Sequence, residues 1–317
     1  MGRIGNEWVT ASITLAMLTA PALLLSQERP VFAVDVRLVR LLVTVKNTAG
    51  ELIAGLDRDD FTVIDTDVPQ KVELFERQTE QPLSVALLID TSGSTAIDLG
   101  YELESAKRFL KALLAEGHPE DSAALYTFNY QVSLQSAFTR RLARLEERMK
   151  GLKGEAGTSL YDAIYLASRD LEGRDGRRVI VVVTDGGDTT SRKDFHAALA
   201  SAHRAEAALY GILVMPIKSD VGRNIGGENA LAGLASSTGG RVFTPELGEQ
   251  VDRAFSEILR DLRTQYLIGY YPKNVPPAQD GFHRVQVKVN RPDLRVQTRS
   301  GYYEDSEEPT AGGRKKR

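Results

Sequence analysis

Three residues carry the first chemical signal. Asp90, Ser92 and Ser94 form D-x-S-x-S directly after the apolar run LSVALLID at 83–90, and a helical pattern begins near 98. One carboxylate and two hydroxyls are hard oxygen donors, the type that holds magnesium while leaving coordination positions open. The same serines also suit a helix start, where a side-chain oxygen accepts from free backbone amides. Spacing alone leaves both readings open. Two more polar elements carry hydroxyls or carboxylates. Gly157-Thr158-Ser159-Leu160-Tyr161-Asp162-Ala163 places a threonine in a loop before a helix. Thr184-Asp185-Gly186-Gly187-Asp188 places an aspartate at the end of a second long apolar strand.

Composition removes much other chemistry. The 317 residues contain no cysteine, which excludes disulfides, thiolate zinc sites, iron–sulfur clusters and cysteine nucleophiles. The four histidines, His118, His196, His203 and His283, show no HxH or HExxH spacing, and His118, His196 and His203 are read as solvent-facing or packing residues. Lys plus Arg is 40 and Asp plus Glu is 43, a formal charge of −3 that gives nucleic-acid binding no electrostatic support. At 42% apolar and 26% charged, the chain has ordinary globular usage and length for about two domains.

The positioning elements fall into β, then α/β, then β. Residues 8–25, WVTASITLAMLTAPALLL, follow Arg3 and precede a polar SQERP. Positive start, short apolar run and polar exit are the layout of an export signal, so 1–26 is read as a signal peptide. The alternative is a retained membrane anchor, because 18 uncharged residues just suffice to cross a bilayer. Over 31–80, Phe32, Val34, Val36 and Leu38 alternate on even positions, and Leu41, Val43 and Val45 on odd ones. Period two predicts half-buried strands, and the parity switch near Val39 predicts a bulge. From 83 the runs LSVALLID, 123–128, RRVIVVVTD at 177–185 and 209–214 read as strands covered on both faces. Helices are predicted at 98–116, 140–150, 159–171, 194–208 and 246–263, which makes 83–263 a doubly wound, mostly parallel α/β domain. Strands return over 264–303, and the tail 304–317, acidic and then basic, is predicted to be disordered. Neither flanking segment closes a sheet pair alone, so 31–80 and 264–303 are expected to build one β-sandwich with the α/β domain inserted.

The order D-x-S-x-S, G-T-S-L-x-D-A, T-D-G-G-D strongly resembles that of a von Willebrand factor A domain, the integrin I-type fold, with its metal-ion-dependent adhesion site. The resemblance covers about 83–263, including A-G-L-A-S-S-T-G-G-R-V-F at 232–243. It implies that Ser92, Ser94 and Thr158 supply hydroxyl ligands to Mg2+ or Mn2+. Asp90 and Asp185 would then act mainly through water, or one of them directly. Two carboxylates roughly neutralise a divalent cation, which stays electrophilic enough to recruit an acidic group of a protein partner. Asp162 and Asp188 read as cap or turn residues, and Asp121 as a turn residue.

The flanks, VRLVRLLVTVKNTAGELIAGLDRDDFTVIDTDVPQKVELFE and QYLIGYYP, are similar to those of exported bacterial VWFA-related proteins. The turn Asp65-Thr66-Asp67 departs from the acidic-residue-plus-glycine expected there. The expectation is therefore an exported protein of periplasm, cell envelope or exterior. It binds a carboxylate of a partner protein, is not an enzyme, and touches membrane only through an uncleaved N-terminus. The alternative is a structural or assembly component of the envelope whose metal is incidental. Among enzymes, an aspartic protease needs D-T-G or D-S-G in two copies, and a haloacid dehalogenase-type phosphatase needs a second Asp where Ser92 stands. A serine hydrolase needs G-x-S-x-G with a placed histidine.

Overall fold

The computed structural model describes residues 38–77, 80–93, 99–214, 224–245 and 249–304. The predicted signal segment, the strand positions Phe32, Val34 and Val36, the tail 305–317 and the candidate ligand Ser94 lie outside these described residues. Four strands come first: β1 (Val39–Asn47), β2 (Phe61–Asp65), β3 (Val68–Gln70) and β4 (Leu74–Glu76). An alternating stretch follows, with β5 (Leu83–Asp90), α1 (Leu99–Leu114), β6 (Ser122–Phe128), β7 (Val132–Thr139), α2 (Leu142–Met149) and α3 (Leu160–Leu171). It continues through β8 (Arg177–Thr184), α4 (Phe195–Arg204), β9 (Ala207–Leu213), α5 (Ile225–Ser237), β10 (Val242–Phe243) and α6 (Glu249–Arg263). The last strands are β11 (Tyr266–Tyr270), β12 (Phe282–Val289), β13 (Leu294–Gln297) and β14 (Gly301–Tyr303).

The central sheet runs β10-β9-β8-β5-β6-β7, parallel throughout except for the β6–β7 edge. Every residue of β5, β6 and β9 is buried, as the unbroken apolar runs require of strands covered on both faces. Val85, Leu87 and Ile89 pack under α1, α2 and α6, where Phe109 and Phe255 stack at 4.8 Å. Ala86 and Leu88 pack on the opposite face under α3, α4 and α5, against Leu160, Ile164 and Leu231. Each fully buried leucine contributes about 1.5–3 kcal/mol of transfer free energy. Two elements are additions to the sequence reading: the antiparallel edge strand β7, and the helix α5 with its three glycines.

The terminal strands form two four-stranded sheets, β13-β1-β11-β4 and β14-β12-β2-β3. Each mixes strands from both ends of the chain, with Leu41 opposite Ile268 and Val63 opposite Val287. Leu41, Val43, Val63, Tyr266, Ile268 and Val287 share one apolar cluster. At the β2–β3 turn Thr66 and Asp67 take φ of 45° and 68°, the left-handed pair of a tight hairpin that glycine favours. Buried Asp65 accepts from the Tyr270 and Tyr302 hydroxyls, both at 2.8 Å, beside this turn. The terminal sheets join the α/β layer through side chains and main chain alike. Lys46 and Arg241 both reach Asp261 of α6, at 3.0 and 2.7 Å, and the Ser300 amide donates to the Ser237 carbonyl at 2.8 Å.

Candidate functional site

Chain direction fixes where polar groups gather. From β5 the chain crosses to β6 on one side, then returns to β8 on the other, so the β5 and β8 ends flank a switch point. Crevices at the carboxyl ends of parallel strands at such a point are where open α/β sheets hold ligands. Asp90 ends β5, and Asp185 follows the last residue of β8. The register pairs Ile89 with Val183, which sets Asp90 beside Thr184.

Asp90 is fully buried and held by the Thr184 hydroxyl at 2.6 Å and the Ser92 amide at 2.8 Å. Burial pushes its carboxyl up to about 7; the hydrogen bonds from Thr184 and Ser92 oppose that shift, and the charge of Asp185 adds to it. Ser92 is buried, and its strand-like bridge to Glu155 fixes the backbone after β5, with the Glu155 amide donating to the Thr91 carbonyl at 2.8 Å.

Thr158 is positioned by a loop distant in sequence. Its amide donates to the Thr189 hydroxyl at 2.9 Å, and its carbonyl accepts from the Thr189 and Thr190 amides at 2.8 and 3.1 Å. Gly157 precedes it at φ +84°, where a Cβ would stand 2.9 Å from Tyr130, so only glycine lets the loop close here. Gly186, at φ +94°, has the same role after Asp185: a Cβ would meet Leu213 at 2.7 Å. Its amide donates to Thr184 Oγ1 at 3.1 Å, tying the Asp185 turn to the group that holds Asp90.

Asp90, Ser92, Thr158 and Asp185 thus all stand on loops or strand ends at the carboxyl end of the sheet. Asp188 accepts from the Tyr161 amide and the Ser191 hydroxyl, and Asp162 from the Arg192 and Lys193 amides, so both carboxylates brace the loop that carries Thr189. Asp121 lies at the opposite end of the sheet, accepting from Leu83 and His118 amides and from Arg263. His196 is exposed, whereas His203 is buried against Phe282. Glu155 and Thr189 were not singled out by the sequence; the polar run Asp188-Thr189-Thr190-Ser191 after a buried strand was the available signal.

No group of three or more His, Cys, Asp or Glu gathers among the described residues. The donors at this end are instead hydroxyls and two carboxylates, a hard-oxygen set that fits a small divalent cation of the magnesium type.

Residues 85–187 match the von Willebrand factor type A domain family, a span that includes all five candidate residues. An uncharacterized protein of Mycobacterium tuberculosis is 32% identical over 130 residues, 40% of this chain. The match spans only 18% of the length of that relative. Among solved structures, the vWF domain of the type V pili tip protein from Porphyromonas gingivalis is similar at a TM-score of 0.48 and 15% identity. That likeness covers 57% of this chain and 94% of the other. A conserved hypothetical protein, BatB, from Bacteroides thetaiotaomicron aligns at a TM-score of 0.46 and 18% identity, over 57% of this chain and 98% of the other. The family match thus makes residues 85–187 similar to a von Willebrand factor type A domain.

Proposed function

We propose that the A domain is a divalent-metal-dependent protein-interaction module that captures a carboxylate of a partner protein. Ser92, Ser94 and Thr158 would supply hydroxyl oxygens to Mg2+ or Mn2+, with Asp90 and Asp185 balancing its charge. The bound cation would supply an electrophilic centre for a carboxylate oxygen. The observation that carries this reading is the buried Asp90 at the β5–β8 switch point, with Ser92 beside it and Asp185 close enough to raise its carboxyl pKa. The remaining work belongs to the chain. Thr184 and the Ser92 amide orient the Asp90 carboxylate, and Thr189 sets the Thr158 backbone. Hydroxyl donors carry no charge, so the set binds a cation without quenching it.

We read the protein as a binding protein and not an enzyme, and as exported to the periplasm, envelope or exterior. No helix among the described residues is long and apolar enough to cross a membrane. We read the two terminal sheets as one β-sandwich that holds the A domain; their shared apolar cluster supports this. The test is capture from envelope extract by immobilised full-length protein, with magnesium or with chelator, for the unchanged chain and Thr158→Ala. Partner retention that needs both magnesium and Thr158 supports the reading. Retention indifferent to both assigns the protein a structural role with an incidental site.

A further inference from the structure

A cavity of about 110 Å³ lies between the amino ends of β8 and β9 and the β1–β11 pair, at the end of the central sheet away from Asp90. Its lining includes four arginines, Arg40, Arg177, Arg178 and Arg299, against two carboxylates, Asp175 and Glu206. That leaves two positive charges in excess. We propose that this cavity is a site for a small phosphate anion, with Arg177 and Arg299 as its principal donors.

Arg177 is 2% exposed and Arg299 7%, so both guanidinium groups have left water. Arg177 Nη1 donates to the Leu262 carbonyl at the last turn of α6, but its Nε and Nη2 have no acceptor among the described residues. Arg299 Nη2 donates to the Arg40 carbonyl at 2.8 Å and reaches Glu206 only at 3.4 Å; its Nε and Nη1 also have no acceptor. Buried guanidinium donors without acceptors are costly, because each loses hydration and gains nothing in return. Burial lowers the Arg177 pKa to about 10, with the neighbouring Arg263 charge adding to the effect. His203 feels the same field, since the charge of Arg299 adds to burial in lowering its pKa.

An anion with several oxygens answers all four donors together, and the planar forks of arginine suit it. One further group selects among anions. Gln265 also lines the cavity; its Nε2 donates to the Thr44 hydroxyl at 3.2 Å, and its Oε1 has no donor. Phosphate keeps a proton at neutral pH that Oε1 can accept, whereas sulfate has none to offer. The site therefore favours phosphate over sulfate. The mouth is formed by exposed Arg40, Asp175 and Gly176, and Arg40 adds attraction from the rim. Because the cavity joins the start of β8 and β9 to β1 and β11, occupancy would also tie the α/β layer to the terminal sheets.

The test is calorimetric titration of the full chain at neutral pH and constant ionic strength, with inorganic phosphate and, separately, sulfate. The expected result is saturable binding of one phosphate, with sulfate several-fold weaker. Arg177→Met and Arg299→Met each weaken phosphate by about tenfold or more, the usual effect of removing a charged hydrogen bond. Arg40→Gln, an exposed change, weakens it by about a factor of two to five through lost attraction. Circular dichroism confirms that each variant is folded; if Arg177→Met is not, Arg177→Lys and Arg299→Met decide on the same criterion. Absent saturation, or binding unchanged in Arg299→Met and Arg40→Gln, overturns the assignment and leaves a water-filled seam or an adventitious ion only.

Discussion

Asp90 and Asp121 are both closed off from solvent, at opposite ends of the central sheet, and their surroundings differ in kind. Asp121 sits at the amino end beside Arg263, and it also accepts from the Leu83 and His118 amides at 2.7 and 2.9 Å. Asp90, at the carboxyl end, accepts from a neutral hydroxyl and a neutral amide and stands near a second carboxylate. The first carboxylate is a structural clamp, joining the α1–β6 turn, β5 and α6. The second is desolvated and pushed up to about 7, a condition that a cation would relieve. A buried carboxylate thus serves stability at one end and, on the proposed reading, awaits a cation at the other.

The largest expected effect breaks the clamp. Asp121→Ala strands the Arg263 charge and two amides, and should lower unfolding free energy by about 3 kcal/mol in denaturant titration. An effect below about 1 kcal/mol would remove the contrast with Asp90.

The second prediction uses pH at the amino end. Burial, reinforced by Arg299, lowers the His203 pKa to about 4 from an ordinary 6.5. The unfolded chain therefore binds this proton first as pH falls. The contribution of this residue to stability is complete above about pH 7, declines from about 6.5 downward and is fully lost below about 4. At pH 5.5 the loss relative to pH 7.5 should be about 1 kcal/mol from this residue. Comparison of the two pH profiles isolates it: His203→Phe, which can pack on Phe282, should lack that part of the slope.

Third, Asp90→Asn in metal-free buffer should change stability by no more than about 1 kcal/mol, because the amide oxygen still accepts from the Ser92 amide and the amide nitrogen can donate to a reoriented Thr184 hydroxyl. A loss comparable to that of Asp121→Ala would make Asp90 a structural clamp as well. The smallest effect belongs to the exposed pair of Arg108 and Asp252, joined by two hydrogen bonds of 2.9 Å. Arg108→Ala should cost about 0.5 kcal/mol, and 1 M salt should erase the difference.

The frame of this contrast was legible in the sequence. The runs LSVALLID and RRVIVVVT announce strands covered on both faces, and Leu99, Leu103, Ala106, Leu110 and Leu113 mark α1. Asp90, Ser92 and Asp185 follow directly, because polar residues after such runs fall at the carboxyl end of the sheet; Thr158, in a loop after a charged helix, was singled out only by the resemblance in motif order. Edge strand β7 was hidden by its composition: VSLQSAFT alternates, but Leu134 is exposed and serine and glutamine fill the rest. Helix α5 was masked by Gly226, Gly227 and Gly233, which local propensity counts against a helix. Gly227 has a tertiary reason, since a Cβ there would lie 1.8 Å from the Gly186 carbonyl oxygen, at the turn beside Asp185. Long-range partnerships were beyond reach altogether. Nothing local ties Arg263 to Asp121, or Thr189 to Thr158, because each depends on how separate elements pack.

The account turns on whether the carboxyl-end site takes a divalent cation. The most direct measurement is the unfolding free energy of the full chain against manganese or magnesium concentration, for the unchanged protein and Asp90→Asn. At a hundredfold excess over the dissociation constant, one bound ion should stabilise the unchanged protein by about 2.7 kcal/mol, and Asp90→Asn should show little of it. No metal-dependent gain in the unchanged chain, or an equal gain in Asp90→Asn, would contradict the assignment of Asp90, Ser92, Ser94, Thr158 and Asp185 as a metal site.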